Sequence, residues 1–296
     1  MMKTMLEGAV ALHFYRPSPQ LAPYISTYYL TEVNLDQGNQ VEDWLHPEWA
    51  NLRFTAEPRY QSALGKGELQ ALPGTIFTGP TSHSAHFVIE GTARIWGVGI
   101  LPAGWARLMP VPASDMVDRV VPVTADSACA KFAPIAARVL TGKRDPAGEA
   151  ARIDAFMLEL LASTEPSDEE ARIRAAHAAL INDDTTSVAD LAGQLGVSAR
   201  SLERLSLRAF GFSPKLLLRR QRFLRSLAQF MLDPSLKWIK TLDYQYVDQA
   251  HFVRDFQRFM GMSPSRYGAL EHPVLRAAAQ ARTAAAGQAV QALHRP

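Results

Sequence analysis

Two stretches of this sequence repeat each other at an interval of 50 residues. The first, SARSLERLSLRAFGFSP, covers residues 198–214, and the second, DQAHFVRDFQRFMGMSP, covers residues 248–264. The copies share two arginines, a glycine and a Ser-Pro dipeptide at equivalent positions. Such a repeat indicates one structural unit that occurs twice, and the rest of the chain is best interpreted around it.

Each copy predicts the second helix of a helix-turn-helix unit. Ser198 is a suitable N-cap for the first helix and Gly211 a suitable stop. Residues 187–197 predict a shorter helix and a turn at Gly196. In the second copy Asp248 is the N-cap, after a short helix over about Leu236–Tyr244. The apolar faces have helical spacing: Leu202, Leu205 and Ala209 in the first copy, and Phe252, Phe256 and Phe259 in the second.

A linker helix is predicted between the two units, over Pro214–Met231. It carries four arginines, which are too many for a buried face, so we expect them to face outward: Arg219, Arg220, Arg222 and Arg225. Two helices held by one linker can enter successive major-groove segments, about 34 Å apart along B-DNA.

This pattern resembles the DNA-binding domain of the AraC/XylS family of transcription regulators, over about a third of the chain. The matching residues are Leu191-Ala192, Gly196-Val197-Ser198, Leu202, Arg204 and Gly211-Phe212-Ser213-Pro214, then residues 248–256, residues 261–264 and Tyr267. Two residues depart from the family pattern. Gln245 stands where the family usually has glycine, and Ser206 stands where it usually has phenylalanine. Either departure could weaken one of the two units.

The resemblance implies a fold and partners. The implied fold class is α+β: an N-terminal β-rich, cupin-like sensor domain with a helical extension, and a C-terminal all-α domain of two helix-turn-helix units joined by a linker helix. The implied partners are double-stranded DNA, a small-molecule effector of unknown identity at the N-terminal domain, RNA polymerase and a second copy of the chain. The resemblance does not indicate a membrane partner or a cofactor.

Composition and charge agree with this division. A length of 296 residues suggests two domains. Residues 1–167 carry 13 Lys and Arg against 17 Asp and Glu, whereas residues 200–271 carry 13 against 6. A local basic excess on helices is typical of phosphate contact.

The absence of an apolar leader or an 18-residue apolar run predicts a cytoplasmic protein.

The N-terminal half has short strand-like runs that predict a sandwich or barrel: Ile25–Val33, Leu52–Ala56, Thr75–Thr78, Ala85–Ile89 and Ala93–Ile100. Helices are expected over Cys129–Leu140 and Pro146–Ala162. The second has an apolar stripe that is either core or a dimer contact: Ile153, Phe156, Met157, Leu160 and Leu161. We expect four segments, 1–125, 126–164, 165–271 and 272–296. The last is Ala-rich, either a loosely held helix or disordered.

Residues that contact DNA follow from the position of each recognition helix, since its N-terminal part faces the base edges. Arg200 suits guanine, Glu203 suits cytosine and Gln249 suits adenine. The full base-contacting set is Ala199, Arg200, Ser201, Glu203, Arg204, Gln249, Ala250, His251, Val253 and Arg254. Candidates for phosphate contact are Ser198, Lys215, Arg219, Arg222 and Arg266. For Arg204 and Arg254, phosphate contact or bracing of the domain remains the alternative.

Chemistry in the N-terminal domain is less well indicated. Aromatic residues could line an effector pocket or form core: Tyr28, Trp44, Trp49 and Trp96, with Tyr29 beside them. His83, His86 and Glu90, joined by His46, invite a metal site, but residues three apart on a strand point to opposite faces. We therefore expect no metal, no catalytic residues and no enzyme. The alternative is a DNA-binding domain fused to a metal-dependent cupin-type or DNA-repair enzyme. The DNA-repair arrangement has a multi-Cys zinc site, which Cys129 alone cannot build.

Overall fold

The N-terminal part consists of two antiparallel sheets. The computed structural model describes residues 8–233 and 238–294, apart from the side chains of residues 238 and 239. Its strands are β1 (Val10–Tyr15), β2 (Ile25–Val33), β3 (Gln40–Leu45), β4 (Ala50–Phe54), β5 (Tyr60–Leu64), β6 (Gln70–Ala71), β7 (Thr75–Thr78), β8 (Ala85–Glu90), β9 (Ala93–Ile100) and β10 (Val120–Pro122). The larger sheet has the order β1-β2-β9-β4-β7-β10, and the smaller has the order β3-β8-β5-β6. The predicted β-rich domain is confirmed.

The two faces of the larger sheet bury different cores, because successive side chains on a strand point to opposite sides. Tyr28 and Trp96 lie on the face that the helical extension covers. Ile95, next to Trp96, faces the smaller sheet and packs in a core with Phe87. The core under the helical extension is called the outer core. The space between the two sheets is therefore lined by the strand neighbours of outer-core residues such as Tyr28 and Trp96.

The helical extension closes the outer core. It contains α1 (Pro102–Leu108), 3₁₀ turns at Ala113–Met116 and Ala130–Phe132, α2 (Ile135–Val139) and α3 (Pro146–Ala162). The helix expected over Cys129–Leu140 is split into the second 3₁₀ turn and α2. Pro134 lies between them and has no N–H to continue a helix. In the apolar stripe of α3, Ile153, Phe156 and Met157 are buried, and Leu160 and Leu161 are partly buried, in the core under the larger sheet.

The C-terminal part is helical and contains both predicted helix-turn-helix units. Its helices are α4 (Glu170–Ile181), α5 (Val188–Gln194), α6 (Ala199–Phe210), α7 (Pro214–Leu232), α8 (Trp238–Thr241), α9 (Gln249–Met260), α10 (Pro264–Ala269) and α11 (Pro273–Ala286). The predicted start of the helix before the second copy, Leu236, lies outside the described residues. Helices α5 and α6 form the first unit, and α8 and α9 form the second.

Both recognition helices, α6 and α9, begin and end as their sequences predict. The Ser198 hydroxyl accepts a hydrogen bond from the Ser201 N–H at 3.2 Å, and the Asp248 carboxylate accepts one from the His251 N–H at 2.6 Å. Each helix ends at a left-handed glycine, Gly211 with φ 84° and Gly261 with φ 71°. These two conformations favour glycine, which explains its recurrence in the repeat.

The linker helix α7 packs against the second unit, with the Phe223 ring centroid 5.4 Å from that of Phe256 and 5.0 Å from that of Phe259. The expectation that all four arginines of α7 face outward is wrong. Arg220 has no exposed surface, and its guanidinium carbon lies 3.9 Å from the centre of the Trp49 ring. The side chain of Arg225 is only 13% exposed, and it pairs with Asp243. These arginines were misjudged because their partners lie far away in sequence.

Of the two alternatives for the Ala-rich C-terminal segment, a loosely held helix or disorder, the structure shows a helix. Helix α11 runs from Pro273 to Ala286, and Val290 to Leu293 continue into the core between the two halves. The Asp43 carboxylate of β3 accepts hydrogen bonds from the N–H groups of Val274 (3.1 Å) and Leu275 (2.8 Å) and lies 2.8 Å from His272. The two sheets, called the barrel below, therefore cap this helix through Asp43.

The two halves of the molecule share one hydrophobic core. Trp49 and Leu101 of the N-terminal part pack in the same cluster as residues of α6, α7 and α9. The N-terminal part contacts the C-terminal ends of both recognition helices. A Cβ atom at Gly211 would lie 2.7 Å from the Val117 side chain, and Ser84 bonds to the carbonyl groups of Phe259 and Met260 (2.7 and 3.1 Å).

Candidate DNA-binding surface and effector cavity

The first recognition helix presents a polar face to solvent. Among its predicted base-contacting residues, Ala199, Arg200, Glu203 and Arg204 are exposed, and Ser201 is half-buried. The side chain of Arg204 is 75% exposed, and its Nη2 lies 3.7 Å from a carboxylate oxygen of Glu169 on the preceding segment. An exposed pair at this distance is weak, so Arg204 can exchange Glu169 for DNA at little cost.

The second recognition helix has an equivalent face. Gln249, Ala250 and Arg254 are exposed, Val253 is half-buried, and these residues line a shallow depression with Asp248. His251 is bound differently, because its Nε2 lies 3.0 Å from Nη2 of Arg222. The imidazole ring of His251, a predicted base-contacting residue, therefore already has a protein partner.

The predicted phosphate contacts fall into two groups. Ser198, Lys215 and Arg266 are exposed. Arg219 and Arg222 instead hold the fully buried carboxylate of Asp255, and the Tyr246 hydroxyl donates to the same carboxylate at 3.1 Å. Burial, together with this carboxylate, raises the pKa of Tyr246 above its usual value. These two arginines hold the linker helix to the second recognition helix, whatever contact they also make with DNA.

The two departures from the family pattern are accommodated without backbone strain. Gln245 does not have a positive φ, and its side-chain amide donates to the carbonyl of Asp183. Ser206 is buried on the core side of α6, and its carbonyl accepts the hydrogen bond from the Gly211 N–H that ends the helix. Neither residue lies on the exposed face that would meet DNA.

A cavity of about 150 Å³ lies between the two sheets and is closed in part by the C-terminal segment. From the sheets its lining includes Tyr29, Arg53, Phe87 and Ile95; the C-terminal segment contributes Val274, Leu275, Ala278, Arg282, Ala289, Val290 and Gln291. The guanidinium of Arg53 pairs with Glu48 and also donates to the Thr78 hydroxyl at 3.3 Å. A chain of hydrogen bonds runs from the Tyr29 hydroxyl to Asn51 (3.2 Å), and from Asn51 to Gln291 (3.3 Å).

Of the aromatic residues considered for an effector pocket, Tyr29 lines this cavity, and Tyr28, Trp44, Trp49 and Trp96 lie outside its lining. Tyr28 and Trp96 bond to Asp154 and Glu149 beneath the helical extension. Trp49 lies in the core between the two halves, and Trp44 stacks on His86 outside the cavity lining. Adjacent strand residues face opposite sides, so Tyr28 and Trp96 belong to the core under the helical extension, whereas their neighbours Tyr29 and Ile95 line the cavity.

The histidines considered for a metal site lie apart and have other partners. His83 lies 2.9 Å from the Ser82 hydroxyl, His86 lies 3.0 Å from Glu42, and His46 lies 2.8 Å from the Tyr267 hydroxyl. Among the residues that the structure describes, no three His, Cys, Asp or Glu side chains are close enough together to hold a metal ion.

The cavity and the DNA-binding part are connected through the loops at one end of the barrel. Glu48 and Thr81 line the cavity, and their backbone carbonyls lie 3.5 and 3.0 Å from Nη1 of the buried Arg220. Burial lowers the pKa of Arg220 to about 9, which leaves it charged at neutral pH. Ser84, three residues after Thr81, donates a hydrogen bond to the Met260 carbonyl at the end of α9. The same loops therefore contact the cavity, the linker helix and the second recognition helix.

Several functional residues were missed from the sequence, namely Glu48, Arg53, Arg220, Arg282 and Gln291. Arg53 was the most visible of them, since it stands between Leu52 and Phe54 in a strand whose residues are all buried. A charged residue inside an apolar strand indicates a buried partner or a ligand. The other four gave no such signal, because none of them lies in a strand.

Two domain models match parts of the chain: a helix-turn-helix domain over residues 191–269 and a domain of unknown function (DUF6597) over residues 13–122. No curated protein sequence matches the chain. Among solved structures, one of ToxT from Vibrio cholerae is 12% identical and covers 81% of this chain and 97% of its own, with a TM-score of 0.43. A structure of ToxT with an unsaturated fatty acid bound is also 12% identical, and it covers 81% of this chain and 94% of its own, with a TM-score of 0.41. A structure of the AraC-like transcriptional activator CuxR is 14% identical and covers 77% of this chain and 90% of its own, with a TM-score of 0.23.

Similarity at that level carries no information about a ligand or an operator. None of the described helices is long and apolar enough to cross a membrane. The match to the helix-turn-helix domain is different, because it coincides with the capped and exposed recognition helices. Since both of these helices fall within the matched residues, the C-terminal part of the chain contains a helix-turn-helix domain of the AraC type over residues 191–269.

Proposed function

We propose that the chain reads two consecutive major-groove segments of one DNA duplex, with α6 in the first and α9 in the second. The observation that carries this proposal is the pair of exposed helix faces that start at Ser198 and Asp248, in a segment with a net positive charge. Arg200 and Glu203 read bases in the first segment, and Gln249 and Arg254 read bases in the second. The remaining base contacts come from Ala199, Ser201, Arg204, Ala250, His251 and Val253.

Phosphate contacts position the two helices on the duplex. Lys215 and Arg266 suit this role best, because both are exposed and both follow the Ser-Pro start of a helix. Ser198 can add a contact at the start of α6. Arg219 and Arg222 reach phosphate only if they keep their pairs with Asp255, since breaking these pairs would leave a buried carboxylate uncompensated.

We also propose that a small-molecule effector binds in the cavity between the sheets and controls DNA binding. The cavity has polar groups in an otherwise apolar lining, as is usual for a ligand site. Its walls belong partly to the barrel and partly to the segment that follows the DNA-binding domain. A ligand with different affinity for two arrangements of these walls shifts the equilibrium between them.

The route of control that we propose uses the contacts at the ends of the recognition helices. The N-terminal part touches α6 near Gly211 and α9 near Met260, so a shift of the loop that contains Thr81 and Ser84 changes the angle between the two helices. The spacing of the two helices on DNA then depends on the cavity. RNA polymerase and a second copy of the chain remain proposed partners, and a cytoplasmic location remains the prediction that goes with this role.

The proposal is tested by selecting binding sites from a random duplex library with the full-length protein. We expect the retained duplexes to share two sequence blocks with centres about 10–10.5 base pairs apart. A single block would mean that one recognition helix does not read bases. Retention without any shared sequence would contradict specific reading by either helix.

A further inference from the structure

The cavity between the sheets has one positive charge that its own side chains do not balance. The ionisable residues in its lining are Tyr29, His46, Glu48, Arg53, Tyr60 and Arg282. Glu48 and Arg53 pair with each other. Burial lowers the pKa of His46 to about 3, and burial raises the pKa of Tyr29 to about 12 and that of Tyr60 further, so all three are neutral. Arg282 is the remaining charge.

Arg282 is buried with most of its N–H donors unpaired among the described residues. It is 5% exposed, and its Nη1 donates to the Thr27 hydroxyl at 2.8 Å. Its Nε and Nη2 have no hydrogen-bond partner among the described residues. Burial lowers the pKa of Arg282 to about 10, but the guanidinium remains protonated near neutral pH. Leaving such donors unpaired in a buried place is costly, so the site is arranged for an acceptor that it does not itself contain.

The two free nitrogens define the shape of that acceptor. Nε and Nη2 lie on one edge of the planar guanidinium, and a carboxylate can accept from both at once in two parallel hydrogen bonds. The Phe14 ring, whose centroid lies 5.5 Å from the guanidinium carbon, covers the group from another side. A neutral alcohol would satisfy one donor and leave the charge unbalanced.

The rest of the cavity limits the size and polarity of the ligand. Its apolar lining includes Leu12, Leu45, Ile76, Phe87 and Ile95. A volume of about 150 Å³ matches the apolar cavities that hold one benzene-sized molecule. The body of the ligand is therefore apolar and no larger than about six carbon atoms.

We propose that this cavity binds a small organic monocarboxylate, held by Arg282, and that the bound ligand fastens α11 to the barrel. The inference rests on the proposed effector site and names its ligand class. Arg282 lies on α11, the helix that follows the DNA-binding domain, and the apolar walls belong mainly to the sheets. A ligand with a carboxylate at one end and an apolar body at the other joins the two.

The test uses the purified full-length protein with butyrate, hexanoate and benzoate as probes. Butanol, hexanol and benzyl alcohol serve as neutral controls of matched size, and sodium phosphate at equal ionic strength serves as an inorganic anion. We expect at least one carboxylate to bind by calorimetry, and its alcohol to bind roughly 10- to 100-fold more weakly. Equal binding of acid and alcohol, binding of phosphate as tightly as the carboxylates, or no binding of any carboxylate would overturn the proposal.

Three variants locate the site. Arg282→Gln should lose the preference for acid over alcohol, and Arg282→Lys should keep only part of it because an ammonium cannot bind side-on. Arg276→Gln is the matched control, since Arg276 is exposed on the same helix. Melting curves without ligand report folding of each variant. A carboxylate preference that Arg282→Gln and Arg282→Lys both retain would overturn the role of this arginine.

Hydrogen exchange of the backbone tests whether the ligand fastens the helix. The carboxylate that binds should slow exchange over residues 273–286 in the wild type but not in Arg282→Gln. Binding without slower exchange there would contradict this part of the proposal. The DNA-binding sites are selected in the absence of any carboxylate or alcohol. A failure of the carboxylates to bind would therefore not affect the test of DNA reading. Binding of the alcohols alone would support an effector site and reject the anion.

Discussion

At the scale of single residues, the structure separates arginines that are free to meet DNA from arginines that hold the protein together. Arg200 and Arg254 are exposed, whereas Arg220 is fully buried over Trp49 and Arg222 is held by Asp255. The difference cannot be read from the sequence, since all four lie in polar-looking helical segments. It depends on which distant side chain each one meets.

The exposed residues give the first prediction. Arg200→Ala should relax the base preference at one position in the first block and weaken specific binding by about 1–3 kcal/mol. Lys215→Ala should weaken binding to all sequences alike and reduce the salt slope by about one ion. Both are measured by titrating selected duplexes at several salt concentrations. An unchanged preferred sequence with Arg200→Ala would contradict base reading by this residue.

A second prediction concerns Asp43, which caps α11 from the barrel. Asp43→Ala removes the partner of the buried His272 and the acceptor of the N–H groups of Val274 and Leu275. We expect the free energy of unfolding to fall by about 3–5 kcal/mol, the usual cost of breaking a buried pair. Glu271→Ala, at an exposed position of the same segment, should change it by less than about 0.5 kcal/mol. Similar losses for both variants in chemical denaturation would contradict the capping role.

At the scale of elements, the repeat predicted the helix-turn-helix units well because their signals are local. Caps, apolar spacing and stop glycines lie within one turn of the residues that they organise. For the Ala-rich C-terminal segment the sequence left a loosely held helix and disorder open, because the partners that stabilise the helix are elsewhere: Asp43 caps it and Thr27 meets its Arg282, more than 200 residues away in sequence. The lining of the cavity was missed for a related reason, since the choice between Tyr28 and Tyr29 needs the register of the strand.

The two stop glycines provide a matched pair for the third prediction. Both have positive φ, but a Cβ atom at Gly211 would lie 2.7 Å from Val117, whereas one at Gly261 would meet nothing within 4 Å. Gly261→Ala should lower the free energy of unfolding by about 1–2 kcal/mol, the cost of the left-handed conformation. Gly211→Ala should cost more, because it also pushes the N-terminal part away from α6. Equal losses in thermal and chemical unfolding would show that this interface is not tight.

At the scale of the whole molecule, the N-terminal barrel and the DNA-binding helices share a core, and His46 and His177 are buried at that interface. His46 lies against Tyr267, and the His177 ring packs between Trp49 and Phe210. Burial lowers the pKa of each to about 3. Both are therefore neutral in the folded protein and become charged in the unfolded chain below its ordinary pKa of about 6.5.

The fourth prediction follows from the sign of these shifts. Between pH 6.5 and 3 the unfolded chain binds more protons than the folded protein, so stability falls as the pH is lowered through this window. From pH 7 to pH 5 we expect each histidine to contribute a loss of about 2 kcal/mol. His177→Phe should reduce the pH dependence of the free energy of unfolding by the contribution of one histidine. It also removes a buried nitrogen that has no hydrogen-bond partner in the part of the chain that the structure describes. An identical pH dependence in this variant would contradict the neutral, buried state of His177.

The measurement that tests the central claim most directly is hydroxyl-radical footprinting of the full-length protein on a selected duplex. Two protected regions should appear on one face of the duplex, with centres about one helical turn apart. Arg200→Ala should weaken protection mainly in one region, and Gln249→Ala mainly in the other. A single protected region, or an equal loss of both regions in each variant, would contradict a protein that reads DNA with two separate helices.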